Sequence, residues 1–415
     1  MKKINLLLEA FTIRPDGISV SLIGYKWFRE LEKLTNTTLV CPYYYKPFLS
    51  KLKLKKNSKI VYIKFNEKFF HLLKGYFQSA LSSFLAENHI YRNFTKAAKK
   101  QIKKLMKTNI YDIHHKVTLV DTNISYLSTL GIPSIIGPIN CGMDWPKKFK
   151  NSIYSKREKD SKFTKYFKNF VRKKIQNRSS IIKNYNKILV ATKITRKLFP
   201  EKYSNRIEYF CENGVDINNF KFQINRNKII NCLYVGRFVP FKAIDILITA
   251  FAKSFKKNKN LRLTIVGDGS EKKNLENLVE QLKIKRYVKF TGFILNVKTV
   301  EYYKNSDIFL FSSLRESGGG VILEAMSCGT VPIVVDYAGP SELVNKKTGI
   351  KIKPITREQL IVDFSDAILK LAKDFKLRHK LAMNGRKEVE ENYDWQAKAK
   401  RMLKIYKEVL KEDNK

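Results

Sequence analysis

The chain has 415 residues, a length that fits two domains better than one. Hydrophobic residues make up 44% of it and aromatic residues 12%, which excludes collagen-like, fibrous and wholly disordered chains. Its net charge is +44, and residues 1–200 are the more basic half, with 41 basic and 11 acidic side chains against 40 and 26 in the rest. A region this basic attracts polyanions such as nucleic acid or an anionic membrane surface, although frequent Lys, Asn and Ile throughout also indicate a general compositional bias.

The N-terminal segment predicts a buried strand and not a targeting signal. Its apolar run at residues 4–8 ends at Glu9, which makes it too short for a signal peptide. No stretch of the sequence approaches the roughly 20 apolar residues of a membrane-spanning helix. The five cysteines show no CxxC pair and no metal-ligand spacing, which predicts reduced thiols in a cytoplasmic protein.

The first half alternates loosely between strands and helices. After the strand at residues 4–8, the apolar spacing predicts a helix over about residues 19–33, with Ser19 as a candidate N-cap. A longer helix is predicted over about residues 77–106. Further strands are predicted at residues 38–41, 60–63, 111–114, 135–136, 188–190 and 207–210.

The second half alternates plainly between apolar strands and amphipathic helices. The strands are predicted at residues 229–235, 261–266, 288–290, 308–311 and 331–335. The helices are predicted near residues 244–255, 271–282, 297–303, 320–327 and 395–410. Continuous apolar strands between such helices indicate parallel strands that are covered on both faces. The pattern therefore predicts an α/β protein with two doubly wound domains, which meet near residues 213–227.

Ligands of doubly wound sheets bind beyond the carboxyl ends of the strands, and two loops there carry glycines and cations. Gly236 and Arg237 follow one strand and Lys242 begins the next helix, so that two cations in one loop could neutralise a diphosphate. Gly267 and Gly269 form a tight turn after the next strand. Each of these loops alone is also typical of a plain turn with a solvated charge.

The third such loop is more specific. Gly318, Gly319 and Gly320 precede a helix, where consecutive glycines are unfavourable unless bare amides are needed to bind an anion. Glu316 lies at the rim and could accept hydrogen bonds from sugar hydroxyls. Glu324, in the second turn of an apolar helix, could accept from both hydroxyls of a ribose. Cations, amides and such carboxylates together are what a nucleotide diphosphate-sugar requires.

These segments resemble the family 4 retaining glycosyltransferases of the GT-B type. The spacing from Glu316 to Glu324 is similar to that family's signature of two glutamates separated by seven residues. The loop that holds Arg237 and Lys242 resembles its diphosphate loop. Two further blocks that resemble the family lie at residues 213–216 and 267–269, within a similar region of about residues 210–345.

The resemblance implies a GT-B fold, in which two Rossmann-like, doubly wound domains face each other across a cleft. The first domain, at residues 1–215, would bind the acceptor, and the second, at residues 216–394, would bind the donor. The C-terminal helix, at residues 395–415, would cross back to the first domain.

The resemblance also implies roles for individual residues of the donor site. Arg237 and Lys242 would bind the diphosphate. Glu324 would bind the ribose, and Glu316 would be the catalytic residue that contacts the donor sugar. The remaining donor-binding candidates are Gly236, Gly267, Gly318, Gly319, Gly320 and Val321.

The first domain resembles the family less closely. Gly17, ahead of the first helix, is its candidate for a phosphate-side loop. His114 or His115 stands where the family carries a catalytic histidine, and strand alternation directs only one of them toward a cleft. His115 is slightly favoured, while a packing role for either histidine stays open. The loop at residues 137–142 resembles a glycine-richer loop of some family members.

The sequence contains no Asp-x-Asp triplet, so that neither a metal ion nor another cofactor is expected, and protein cations with helix-end amides would stabilise the departing charge. The resemblance implies front-face attack by an acceptor hydroxyl, with retention. It implies transfer of a sugar from a nucleotide diphosphate-sugar to a saccharide or lipid-linked acceptor, in cell-surface polysaccharide, lipopolysaccharide or glycolipid synthesis. The alternatives are a GT-B epimerase or phosphorylase and, because of the charge, a nucleic-acid-binding protein, although the sequence has no zinc-finger spacing, RRM motif or Walker A segment.

A basic segment with aromatic residues, at residues 161–180, predicts an amphipathic helix of the kind that lies on anionic lipid. The lysine-rich run at residues 51–59 could extend the same surface. A helix that packs its aromatic side inward and leaves its lysines solvated is the alternative. The expected location is cytoplasmic, with peripheral attachment to the inner face of a membrane.

Overall fold

A computed structural model describes residues 3–17, 19–66, 80–121, 123–154 and 183–413, without the side chains of residues 80–87, 296 and 297. The amphipathic helix predicted at residues 161–180 lies outside the described residues, and so does the start of the helix predicted at residues 77–106. The chain divides into two compact units. Of the described residues, the first unit holds 3–142, 183–212 and 398–413, and the second holds 143–154 and 213–397.

The first unit is built on a seven-stranded parallel sheet with the strand order β3-β2-β1-β4-β5-β6-β7. Its strands are β1 (Asn5–Ala10), β2 (Asn36–Pro42), β3 (Lys59–Ile63), β4 (Ile113–Thr118), β5 (Ser134–Ile139), β6 (Lys187–Val190) and β7 (Ile207–Tyr209). Its helices include α1 (Val20–Leu34), α2 (Lys46–Leu49), α3 (Ala80–Leu105) and α4 (Lys193–Arg196). The strand order reverses between β1 and β4, and doubly wound sheets bind their ligands at such a switch point.

Both faces of this sheet are packed. Leu7 and Leu8, on opposite faces of β1, are both fully buried. Trp27 and Phe28 of α1 are also fully buried, because the helix turns one apolar face toward the sheet. Ser19 stands at the N-cap position of α1 as predicted, but its side chain makes no capping hydrogen bond.

The second unit repeats this layout with a six-stranded parallel sheet in the order β10-β9-β8-β11-β12-β13. Its strands are β8 (Ile230–Val235), β9 (Leu261–Val266), β10 (Val288–Gly292), β11 (Ile308–Phe311), β12 (Val331–Val335) and β13 (Ile350–Ile352). Its helices are α5 (Ile244–Lys257), α6 (Lys272–Gln281), α7 (Asn296–Lys304), α8 (Gly320–Cys328), α9 (Ala338–Leu343), α10 (Arg357–Lys373) and α11 (Phe375–Asn392). The switch point lies between β8 and β11, and the two sheets confirm the predicted doubly wound architecture.

The last helix, α12 (Trp395–Asp413), begins in the second unit and continues into the first. From Lys398 onward it belongs to the first unit, where Met402 and Tyr406 are fully buried. The ammonium group of Lys398 lies 4.5 Å from the ring centroid of Phe210 in the same unit. The C-terminal helix therefore crosses back to the first unit, as the resemblance implies.

Residues 143–154 group with the second unit, although the predicted division assigned them to the first domain. The Tyr154 hydroxyl donates a 2.7 Å hydrogen bond to Oδ2 of Asp245 on α5, and Arg357 of α10 pairs with the same carboxylate at 3.1 Å. The Tyr337 hydroxyl donates to the carbonyl of Asp144 at 2.9 Å. Because these contacts join residues that are far apart in the sequence, local sequence patterns could not predict them.

Candidate active site

Three loops of the second unit meet at the carboxyl ends of its central strands. The loop after β8 is hydrogen-bonded to the loop after β9, where the Phe238 amide donates to the Asp268 carbonyl at 2.8 Å. The loop after β11 is hydrogen-bonded to the first of these, where the Leu314 amide donates to the Phe241 carbonyl at 2.9 Å. Since β8 and β11 flank the switch point, the structure brings the predicted donor-site loops together at the edge where ligands bind.

Gly267 allows the loops after β8 and β9 to approach closely. Its φ is +140°, and a Cβ atom at this position would lie only 1.9 Å from the carbonyl oxygen of Gly236. Because no side chain fits there, backbone packing requires the glycine at position 267. Arg237, next to Gly236, is exposed at the surface of the same loop.

Lys242 forms an ion pair with Glu316 across the switch point. Lys242 ends a short 3-10 turn (Pro240–Lys242) and is only 7% exposed. The Ser312 hydroxyl is 2.7 Å from the Lys242 carbonyl oxygen, to which it donates, and this bond ties the turn to the end of β11. The Lys242 ammonium group also lies 4.9 Å from the ring centroid of Phe311. The cation is thus held in place by several independent contacts.

Glu316 is held as a carboxylate. Burial alone would raise its pKa, but the charge and hydrogen bond of Lys242 and the amides of Gly318 and Gly319 outweigh burial and lower the pKa below its ordinary value. The Gly318 amide donates to Oε1 at 3.2 Å, while Lys242 engages Oε2. An ionised carboxylate accepts hydrogen bonds and donates none, which suits recognition of hydroxyl groups.

The glycine loop (residues 318–320) leads directly into α8. Gly319 occupies the N-cap position with φ +74°, and no side chain caps the helix. Asn213 lies beside this helix start, with its Oδ1 atom 3.6 Å from where a Cβ atom of Gly320 would be. The Nδ2 atom of Asn213 is shielded from solvent and has no hydrogen-bond partner among the described residues. Glu316 already engages the amides of Gly318 and Gly319, whereas no side chain caps the first turn of α8. This helix start and the buried Nδ2 donor of Asn213 are groups that could bind an anion.

Glu324 lies in the second turn of α8, where the neighbouring helix α7 contacts it. The hydroxyl of Tyr303 donates a 2.8 Å hydrogen bond to Oε2 of Glu324. Burial, and then the Glu324 charge, raise the Tyr303 pKa well above its ordinary value, so that the hydroxyl keeps its proton. Val321, one helical turn earlier on α8, is half-buried.

The first unit holds His114 in its interior. The side chain is fully buried, with Nε2 3.0 Å from Oε2 of Glu9 and Nδ1 3.3 Å from the Ser134 hydroxyl. Glu9 is also fully buried and accepts a 2.6 Å hydrogen bond from the Tyr91 hydroxyl. Both ring nitrogens of His114 are therefore engaged within the unit.

His115 lies on the opposite face of β4 and is equally buried. Its Nδ1 is 2.6 Å from the hydroxyl of Tyr406 on α12, and its Nε2 is 2.8 Å from the carbonyl oxygen of Gly137. Burial lowers its pKa from 6.5 to about 3, so that the ring is neutral. Gly17 lies just before α1, where a Cβ atom would be 2.3 Å from the Ser21 hydroxyl oxygen. The structure thus gives these three first-domain candidates packing contacts within their own unit.

The donor-site cluster comprises Asn213, Arg237, Lys242, Tyr303, Glu316, the glycine loop and Glu324. Two of its residues, Asn213 and Tyr303, received no role from the sequence. Asn213 was recognised only as part of a sequence block, and its buried amide became apparent from the structure. Tyr303 was missed because it precedes Glu324 by 21 positions on another helix. The only signal that the sequence offered for Tyr303 was the hydroxyl group at the end of an otherwise apolar side chain.

The comparison with known families agrees with this site. Residues 216–388 match the sequence model of the family described as Glycosyl transferases group 1. This part of the chain is therefore similar to the group 1 glycosyltransferases. The matched range contains all of the donor-site cluster except Asn213, and it extends beyond the region that the sequence motifs covered.

Curated relatives are similar to part of the chain. The chain is 31% identical over 176 residues to the uncharacterised glycosyltransferase MJ1607 of Methanocaldococcus jannaschii, covering 42% of this chain and 44% of that protein. It is 34% identical over 112 residues to the alpha-monoglucosyldiacylglycerol synthase of Acholeplasma laidlawii, covering 27% and 28%. It is 27% identical over 233 residues to the capsular polysaccharide biosynthesis glycosyltransferase CapM of Staphylococcus aureus, covering 53% and 59%. The chain therefore spans between 28% and 59% of the length of these relatives.

Solved structures extend the likeness in fold to the whole chain. A sucrose-phosphate synthase from Thermosynechococcus elongatus aligns with a TM-score of 0.63 at 17% identity, over 98% of this chain and 99% of that one. A glycosyltransferase from Rickettsia africae aligns with a TM-score of 0.64 at 18% identity, over 99% and 100%. Anabaena HepE in complex with UDP aligns with a TM-score of 0.62 at 15% identity, over 98% and 100%. Together with the two Rossmann-like sheets, these matches assign the GT-B fold around the part that is similar to the group 1 glycosyltransferases.

Proposed function

We propose that the chain is a retaining glycosyltransferase that moves a sugar from a nucleotide diphosphate-sugar to a saccharide or lipid-linked acceptor. The observation that carries this proposal is the Lys242–Glu316 ion pair beside the uncapped N-terminus of α8, at the switch point of the second sheet. One loop cluster thereby supplies a fixed cation, amide donors and an ionised carboxylate.

The diphosphate of the donor would bind at the start of α8. Amide hydrogens and the helix dipole favour negative charge at this end of a helix. Lys242 and the exposed Arg237 add positive charge from the loop after β8, and Nδ2 of Asn213 adds a further donor. When the bond to the sugar breaks, these groups would stabilise the additional negative charge on the diphosphate.

The two glutamates would bind different rings of the donor. Glu324, held by Tyr303, would accept hydrogen bonds from the ribose hydroxyls. Glu316 would accept hydrogen bonds from hydroxyls of the transferred sugar. Hydrolases place one carboxyl group on each side of the scissile bond, whereas both glutamates here belong to the wall formed by α8 and the loop before it.

In the proposed reaction, an acceptor hydroxyl attacks the anomeric carbon from the face that the diphosphate leaves. The carbon–oxygen bond to the acceptor forms while the carbon–oxygen bond to the diphosphate breaks. The leaving phosphate takes the proton of the acceptor hydroxyl, and the anomeric configuration is retained. Because Lys242, Arg237 and the amides of the glycine loop supply the positive field, we propose that the reaction needs no metal ion.

The histidines enter this proposal as structural supports. Both ring nitrogens of His114 and of His115 already have partners inside the first unit, and both side chains are fully buried. A neutral His115 whose pKa is about 3 would be a weak base near neutral pH.

The acceptor is proposed to be a polysaccharide chain or a lipid-linked saccharide at a membrane surface. The names of two relatives, a glycolipid synthase and a capsular polysaccharide glycosyltransferase, support this class. Within the described ranges, no helix has the length and apolar character that crossing a bilayer requires.

An aromatic and basic patch on the first unit supports contact with an anionic membrane surface. Tyr43, Tyr44 and Phe48 are each more than one-third exposed. Arg14 lies 4.2 Å from the ring centroid of Phe48, and Lys64 lies 4.7 Å from that of Tyr43. Exposed aromatic rings among cations suit the interface of an anionic bilayer. We expect the chain to float with anionic vesicles at low salt, and equal recovery with neutral vesicles would contradict this part of the proposal.

The experiment that tests the function is a thermal-shift screen with UDP-, GDP- and ADP-sugars, followed by transfer assays with the donor that stabilises the chain. Binding raises the apparent stability by mass action, so one nucleotide class should raise the Tm. The product's anomeric configuration, read by NMR, tests retention, and an unchanged rate in EDTA tests metal independence. If no nucleotide-sugar raised the Tm, or if the chain bound nucleic acid tightly at physiological salt, the proposal would be wrong.

A further inference from the structure

The buried tyrosine behind Glu324 has no part in the reaction described above. Tyr303 lies on α7 and is fully buried, and its hydroxyl donates to Oε2 of Glu324 at 2.8 Å. Among the residues that the structure describes, its hydroxyl makes no hydrogen bond to the glycine loop or to the Lys242–Glu316 pair. Any effect of this hydroxyl on the site therefore passes through the Glu324 carboxylate.

The Tyr303 ring is fixed independently of Glu324. Its centroid lies 5.9 Å from that of Phe309 on β11 and 6.3 Å from that of Phe220. Its carbonyl oxygen accepts a 2.6 Å hydrogen bond from the Thr330 hydroxyl. Ring contacts and a backbone hydrogen bond thus hold Tyr303 in place. A residue that is held in this way can fix the orientation of a neighbouring side chain.

The hydroxyl is also a permanent donor. Burial is the larger cause, and the Glu324 charge the next, of a Tyr303 pKa well above the ordinary value. The phenol thus stays protonated throughout the range in which proteins work, and a carboxylate opposite it can only accept. Charge-assisted bonds of this kind are stronger than neutral ones.

We infer that Tyr303 is the positioning residue of the ribose-binding carboxylate, and that it sets the preference of the site for a ribonucleotide over a 2′-deoxyribonucleotide. The inference rests on the proposed function, in which Glu324 binds the ribose. By holding one oxygen of Glu324, Tyr303 fixes the plane of the carboxyl group before the nucleotide binds. A carboxylate that is already oriented loses less conformational freedom when it accepts from the ribose.

A fixed carboxylate also discriminates more sharply than a mobile one. When the 2′-hydroxyl is missing, a mobile side chain can rotate toward water, whereas a held one keeps an unpaired acceptor at the ligand. The alternative is that the Tyr303 hydroxyl only satisfies a buried acceptor and stabilises the fold. In that case its loss would weaken the binding of both nucleotides equally.

The experiment compares two ligands that differ by one hydroxyl. It uses the full chain and isothermal titration calorimetry with whichever of UDP, GDP or ADP binds most tightly, and with its 2′-deoxy counterpart. The quantity measured is the ratio of the two Kd values. The variants are Tyr303→Phe and Glu324→Ala, with Tyr287→Phe as the matched control, since Tyr287 packs against Phe255 away from the site.

We expect the unmodified chain and Tyr287→Phe to bind the ribonucleotide roughly tenfold more tightly than the deoxy form. Glu324→Ala should bring the ratio close to one. Tyr303→Phe should reduce it to about threefold or less, mainly by weakening the ribonucleotide, because the deoxy form gains little from the oriented carboxylate.

The possible failures are distinguishable. If the unmodified chain does not discriminate, or if Glu324→Ala still does, the ribose assignment in the proposed function is wrong. If those two results are as expected and Tyr303→Phe keeps the full ratio, the ribose assignment stands and the role of Tyr303 is wrong. An equal loss for both nucleotides likewise assigns Tyr303 to the fold alone.

Thermal unfolding would reveal whether Tyr303→Phe misfolds, and a second variant keeps the inference testable in that case. This is the double variant Tyr303→Phe with Glu324→Ala, in which the Glu324 carboxylate is removed together with the hydroxyl that donates to it. If Tyr303 acts through Glu324, this variant has the same Kd ratio as Glu324→Ala alone. A further change in the ratio would contradict the inference.

Discussion

The two units place polar pairs at the same topological position but use them differently. In the second unit, Lys242 and Glu316 bridge the switch point from loops beyond the strand ends, and the Glu316 side chain is 19% exposed. In the first unit, Glu9 and His114 bridge the switch point from within β1 and β4, and both side chains are completely buried. Only the pair of the second unit lies where a ligand can reach it.

The difference teaches that burial and partners, and not residue type, separate a binding group from a core group. At the switch point of the first unit, the fully buried Glu9, His114 and Lys116 have protein partners, as Lys116 has in Asp121 at 2.7 Å. In the second unit no side chain caps the start of α8. The side-chain Nδ2 atom of Asn213 has no hydrogen-bond partner in the described part of the chain. We therefore expect substitutions at the switch point of the second unit to change function, and those at the switch point of the first unit to change stability.

The largest effect is expected for Glu316→Gln. Loss of the charge that binds the donor sugar should lower kcat by about 100- to 1,000-fold, with a smaller change in nucleotide affinity. Steady-state transfer kinetics and a thermal shift with the nucleotide separate the two quantities. Glu280→Gln is the matched control, because Glu280 is exposed and pairs with Lys285. A kcat within twofold of the unmodified value in Glu316→Gln would remove this residue from the reaction.

Lys242→Met should be the next largest change, and it should affect stability as well as binding. Removing one partner of a buried ion pair leaves Glu316 uncompensated, at a loss of about 3 kcal/mol. The lowered pKa of Glu316 means that the pair stabilises the fold above the carboxyl's ordinary pKa and loses this effect as the pH falls through the folded value. In Lys242→Met the amides of Gly318 and Gly319 still oppose burial, so the Glu316 pKa should be higher than in the unmodified chain and acidification should destabilise the variant less. Unfolding followed from pH 7 to pH 4 tests this smaller pH dependence.

His115→Phe tests the other side of the comparison. The variant loses hydrogen bonds to Tyr406 and Gly137, and we expect a loss of about 2 kcal/mol in the free energy of unfolding. Nucleotide affinity and kcat per folded molecule should stay unchanged. A large fall in kcat without loss of stability would contradict the structural role.

The same variant gives a second prediction, on acid stability. Burial lowers the His115 pKa from 6.5 to about 3, so the unfolded chain binds more protons between these values and stability falls as the pH drops below 6.5. This contribution amounts to at most about 1.4 kcal/mol per pH unit. Urea unfolding at pH 7 and pH 5 should show a smaller difference for His115→Phe than for the unmodified chain. Equal differences would show that His115 is not the group responsible.

The smallest effect is expected for Tyr154→Phe, which removes the hydrogen bond to Asp245. Because Arg357 still pairs with that carboxylate, the loss of stability should be about 1 kcal/mol, with no change in nucleotide affinity. Differential scanning calorimetry with and without the nucleotide measures both. A loss of nucleotide binding would mean that residues 143–154 belong to the donor site.

Much of the second sheet was predictable from the sequence. The strands at residues 261–266, 308–311 and 331–335 have the predicted bounds, because fully buried parallel strands are continuous apolar runs. The strand predicted at residues 111–114 runs instead from Ile113 to Thr118. Its residues His114, His115 and Lys116 are polar, and only their buried partners allow them to form a central strand.

The donor-site loops were predictable for a similar reason, and the connections between them were not. Glycines and charges after apolar strands mark the binding edge, so Lys242, Glu316 and Glu324 could be named in advance. The Tyr303–Glu324 hydrogen bond and the buried amide of Asn213 depend on how helices pack across loops. Spacing along one helix or strand contains no information on such contacts.

A crystal structure of the chain soaked with the nucleoside diphosphate that binds most tightly tests the central claim most directly. We expect diphosphate oxygens at the amides that begin α8 and near the Lys242 ammonium group, with the ribose hydroxyls on Glu324. A nucleotide bound at the switch point of the first sheet, or with its ribose away from Glu324, would contradict it.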